Sequence, residues 1–108
     1  MDNLYLDLQE KVKLLDAALH QLGKRGKAYA EAECQYRMEL AKEMLEKREA
    51  GLPATILSDV CRGERKIARL RFDRDCAEAL YKAALEAINC YKLEIKLLEN
   101  QIDREYRG

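Results

Sequence analysis

The chain has 108 residues, 48% apolar and 37% charged, with 20 basic and 20 acidic side chains, five glycines, one proline and no tryptophan. This composition describes one domain with few turns, and the cancelled charge excludes both a polybasic coat for nucleic acid and a polyanionic DNA mimic. No apolar run approaches the roughly 20 residues of a bilayer-crossing helix and no basic-then-apolar leader opens the sequence, so neither a membrane span nor a secretory segment is expected.

From Asn3 to Ala50 no proline occurs, and Leu, Ala, Glu, Lys, Arg and Gln dominate. These side chains lose little rotamer freedom on a helix, so a long helix over about 3–50 is predicted. Tyr5, Leu8, Val12, Leu15, Leu19 and Leu22 recur in steps of three and four, the spacing of a seam that faces a partner helix. Gly23-Lys24-Arg25-Gly26 interrupts it with two glycines, each costing about 1 kcal/mol relative to alanine, and marks a place for a kink or a close helix approach. Tyr29, Tyr36 and Leu40 carry the seam on, while Ala30, Cys34, Met38, Ala41 and Leu45 form a second apolar stripe.

Gly51-Leu52-Pro53 ends this helix, because glycine supplies a left-handed C-terminal residue and proline starts a new helix more readily than it continues an old one. A two-turn helix follows over about 54–61, closed by Gly63. From Glu64 to Glu105 there is neither glycine nor proline, which predicts a helix over about 64–106, some 63 Å long at about 1.5 Å per residue. Its seam is regular: Ile67, Leu70, Arg74, Ala77, Tyr81, Ala84, Ile88, Tyr91, Ile95, Leu98 and Ile102. The expected fold is all-α, a single antiparallel helical hairpin of coiled-coil type with the short helix at its tip. Pairing Glu49 with Glu64 at the turn sets Tyr36 against Ala77, Leu22 against Tyr91 and Arg74 near Glu39. A second stripe containing Leu80, Ala83, Ala87 and Leu97 is left uncovered, so assembly into a homo-oligomeric bundle is expected through those four residues.

Little in the sequence points to chemistry. His20 is the sole histidine, and Cys34, Cys61, Cys76 and Cys90 are widely spaced, so a reduced protein with no metal and no cofactor is expected. Cys34, Cys76 and Cys90 read as small packing residues on apolar stripes. The Asp73-Arg74-Asp75 triplet is the best catalytic candidate, but neighbouring residues point about 100° apart on a helix, so its acids diverge and an ion-pair network is the better reading. No enzymatic activity is expected. Charge is biased at the tip, where basic residues between Glu46 and Arg74 exceed acidic ones by three. Arg62, Arg65, Lys66 and Arg69 follow helical spacing there and form the expected partner-binding face.

Gly51-Leu52-Pro53, Arg62-Gly63 and the runs from Glu86 to Asn89 and from Leu97 to Ile102 resemble a group of small helical proteins encoded by phages and prophages of Firmicutes, over roughly residues 26–107. The resemblance implies the cytoplasm of an infected bacterium and early genes for recombination, replication or defence evasion, and it supplies no catalytic residues. With the basic tip, it points to a non-enzymatic interaction protein that inhibits or modulates a host protein or ribonucleoprotein, such as a CRISPR effector or nuclease. The other reading is a phage accessory protein that binds nucleic acid or a recombinase, which the zero net charge disfavours because unaided DNA affinity rests on phosphate neutralisation.

Overall fold

A computed structural model describes residues 3–107 as three helices: α1 over Leu4–Glu49, α2 over Ala54–Gly63 and α3 over Arg65–Arg107. Among the described residues there is no strand, and no helix is long and apolar enough to cross a membrane. The Asn3 side-chain oxygen accepts the Leu6 N–H at 3.2 Å and caps α1. At the other end Leu52 N–H reaches the Lys47 carbonyl (3.0 Å) and Gly51 N–H the Arg48 carbonyl (3.1 Å), with Gly51 at φ 99°. This is the six-residue Schellman closure that a glycine after the last turn makes available. Arg48 adds a bond from its guanidinium to the Leu52 carbonyl, fixing the entry into Pro53 and α2.

α1 runs unbroken through Gly23 and Gly26. A methyl group built at Gly23 would meet nothing within 4 Å, so that glycine marks no close helix approach.

The chain packs as two compact units, one of Met1–Arg25 with Tyr81–Gly108 and the other of Gly26–Leu80. In each, α1 and α3 run antiparallel, as the hairpin reading expects. In the first unit Ile88 is buried, Lys11 pairs with Glu94 at 2.6 Å, and Tyr5 meets Tyr106 edge to face with ring centroids 6.3 Å apart. Ala17 and Ala18 face Ala84 and Ala87 beside Leu14 and Tyr91. Small residues on both helices let the backbones approach and leave a shallow hollow bordered by larger ones.

In the second unit Lys66 pairs with Glu39 (3.0 Å), Arg74 with Glu33 (3.2 Å), and the Tyr29 hydroxyl donates to Glu78 (2.8 Å). These contacts correct the expected register, in which Arg74 lay near Glu39, by about two helical turns. The cause is α2. Its C-terminal end lies against α1 well before the end of that helix: Arg62 borders Tyr36, Arg37 and Leu40, and Cys61 sits in the electrostatic field of Glu43 and Lys47. Ten residues of helix span about 15 Å. By folding back along the last turns of α1, α2 delivers the start of α3 opposite Glu39 instead of Glu49.

All eleven α3 seam residues are buried or half-buried. On α1 the seam is Leu4, Leu8, Lys11, Leu15, Ala18, Leu22, Arg25, Tyr29, Ala32 and Tyr36, whereas the expected seam residues Tyr5, Val12 and Leu19 are exposed. The cysteine assignment also changes. Cys34, Cys76 and Cys90 are exposed, and Cys61 is the one that is buried, with 0% of its surface exposed. Burial pushes its thiol above the ordinary range.

Candidate functional site

The four basic residues expected to form one face do not converge. Arg65, Lys66 and Arg69, with Phe72, lie along the first turns of α3 on one open surface. Arg62, at the end of α2, points to a different place, a hollow it shares with Tyr36, Arg37, Leu40, Arg71 and Arg74.

On the α3 surface the charges are partly spoken for. Lys66 holds Glu39, which lowers the Glu39 carboxyl below its usual value and raises the Lys66 ammonium. Arg69 pairs with Asp73 at 3.4 Å and lies over the Phe72 ring, 5.0 Å from its centroid. Phe72 is 54% exposed. Arg65 has no ion pair among the described residues. The surface therefore joins an exposed aromatic ring, an arginine stacked on it and adjacent cationic side chains.

The hollow is built differently, with one arginine from α1 (Arg37), one from α2 (Arg62) and two from α3 (Arg71 and Arg74). Its volume is about 210 Å³. Arg74 is the most constrained of the four. Its guanidinium makes a two-pronged contact with Asp75 (3.0 and 2.7 Å), bonds Glu33 at 3.2 Å and stacks 4.8 Å from the centroid of buried Tyr36. Asp75 chiefly, and Glu33 less, raise the Arg74 pKa further. Glu33 also accepts from Arg37 Nε, and with Arg37 first and Arg74 second its carboxyl is held below the usual range. Arg62 and Arg71 have no ion pair among the described residues.

The Asp73-Arg74-Asp75 triplet is thus divided: Asp73 serves Arg69 and Asp75 serves Arg74, the diverging arrangement expected of neighbours on a helix. No group of three or more His, Cys, Asp or Glu side chains suited to a metal occurs among the described residues. Of the expected oligomer-contact residues, Leu80, Ala83 and Leu97 are exposed and Ala87 is half-buried beside Ala84. Arg37, Arg71 and Phe72 were not expected at a site, and Tyr36 was expected only as a seam residue. For Phe72 a signal existed, an aromatic residue three positions after Arg69 and outside the seam; for the others there was none without the register. Comparison with known proteins finds no matching family model, no matching curated protein and no matching solved structure.

Proposed function

We propose that the protein is a non-enzymatic interaction module that captures a partner protein through the start of α3. The carrying observation is Phe72, 54% exposed beneath the Arg69 guanidinium, with Arg65 and Lys66 alongside. Aromatic and arginine side chains dominate the energetics of protein interfaces, and a cationic rim favours a partner with an acidic surface. The setting implied by the sequence resemblance makes a host protein or ribonucleoprotein, inhibited or modulated by a phage-type protein, the partner we favour. A CRISPR effector or nuclease fits that description.

Phe72→Ala should weaken partner capture by about 2 kcal/mol or more, and Arg65→Glu with Arg69→Glu should abolish it, with helicity unchanged in both. The measurement is quantitative pull-down from host lysate followed by titration of the purified partner. Undiminished capture by these variants would reduce the surface to a solvated helix start. Tight binding of bare duplex DNA, falling steeply with salt and unaccompanied by a protein partner, would favour the accessory nucleic-acid reading.

We also propose that the stripe of Leu80, Ala83, Ala87 and Leu97 receives a second copy of the chain. Leu80 and Leu97 keep 47% and 58% of their surface exposed. Leu97→Glu would place a charge in that interface and should shift the assembly toward monomer in sedimentation equilibrium, since desolvating an unpaired carboxylate is strongly unfavourable. A native chain that sediments as a monomer at micromolar concentration would end this part of the proposal.

A further inference from the structure

From the hollow between the three helices of the second unit we infer a binding site for a phosphate monoester dianion, formed by Arg37, Arg62, Arg71 and Arg74. The inference is independent of the partner-binding surface around Phe72. Four arginines line this hollow, and the acids ion-paired to them among the described residues are two, Glu33 and Asp75. Two positive charges remain in excess. Basic side chains from three separate helices line it, so an anion that enters meets donors from all three.

The geometry selects the kind of anion. A carboxylate is planar, carries one charge and is satisfied by a single two-pronged guanidinium. Arginines approaching from α1, α2 and α3 instead match a group with several outward oxygens and a charge near −2, which a phosphate monoester provides. The hollow, about 210 Å³ and open to solvent, admits a phosphoryl group together with part of what carries it. Arg74 is already oriented by Asp75, Glu33 and the Tyr36 ring. It acts as the fixed wall, while Arg62 and Arg71, without internal acids, supply the free N–H donors and Arg37 supplies those not used on Glu33.

The test is an NMR titration of the intact chain with inorganic phosphate at a pH where the dianion predominates, with chloride adjusted to hold ionic strength constant. Saturable shifts of the Arg62 and Arg71 side-chain N–H resonances are expected, and adenosine monophosphate should reproduce them if the phosphate is carried on a nucleotide. Phosphoserine should reproduce them if it is carried on a modified side chain. Dimethyl phosphate, a diester with one charge, should bind about tenfold more weakly or worse. Arg62→Gln and Arg71→Gln should each weaken phosphate binding by about tenfold with helicity intact. Arg62→Lys, which keeps the charge and loses the fork, should fall between. Arg104→Gln, in the last turns of α3, should bind as the native chain does. Shifts that chloride alone reproduces, variants that bind phosphate undiminished, or a diester or duplex DNA bound as tightly as the monoester would each overturn the proposal in favour of a diffuse cationic surface.

Discussion

Ile67→Ala is expected to lower the unfolding free energy by about 2–5 kcal/mol, among the largest losses available to a single substitution in this chain. Ile67 is 1% exposed and belongs to a short set of buried apolar side chains among the described residues, with Tyr36, Cys61 and Ile88. Its position explains this. It lies in the first turn of α3, just past the α2–α3 break, where Cys61 is buried as well, whereas most of the seam is half-buried. Removing three carbons from so fully enclosed a side chain leaves a cavity that its surroundings fill only in part. Chemical denaturation followed by circular dichroism measures the loss. Ile67→Val should cost only about 0.5–1.5 kcal/mol, and Leu70→Ala, at a half-buried seam position, should cost less than Ile67→Ala. An Ile67→Ala loss under about 1 kcal/mol would mean that the surroundings of Ile67 are not a closed core.

The same junction separates what the sequence discloses from what it conceals. The end of α1 and the start of α2 were legible because Gly51 and Pro53 act locally, the left-handed glycine and the proline restart requiring nothing beyond their neighbours; Gly63, expected to close the short helix after 61, instead lies inside α2, and the break falls at Glu64 in extended backbone. The α3 seam was legible because all but one of its eleven residues are apolar at strict heptad spacing. On α1 the reading chose Tyr5, Val12 and Leu19, each one residue past the inward Leu4, Lys11 and Ala18. Apolar patterning assigns charges outward, but here Lys11, Arg25, Glu33 and Glu39 are half-buried, three of them holding ion pairs and all with aliphatic stems able to cover apolar surface. The register was hidden for a different reason. It depends on α2 folding back along α1, and no local spacing encodes that choice. The basic bias near the turn could be read, yet the convergence of Arg37 with Arg62, Arg71 and Arg74 follows only once the register is known.

Tyr36→Ala should be comparably damaging, about 3–5 kcal/mol, because the ring is 5% exposed and supports the Arg74 guanidinium on one face. Truncation removes a large buried apolar surface and leaves Arg74, whose side chain is 20% exposed, without its stacking partner. Tyr36→Leu separates the two effects by retaining much of the apolar volume while removing the π face. A double-mutant cycle of Tyr36→Leu with Arg74→Gln should return a coupling of about 0.5–2 kcal/mol, the range for a cation held over an aromatic ring in a partly desolvated place. A coupling near zero would reduce the contact to proximity, with Asp75 and Glu33 alone fixing the guanidinium. A positive coupling carries a consequence for the hollow: Tyr36→Leu, still folded, should bind inorganic phosphate more weakly than the native chain, although it removes no charge. Stability and anion affinity then report on the same ring from its two sides, one through the volume it fills and the other through the arginine it orients.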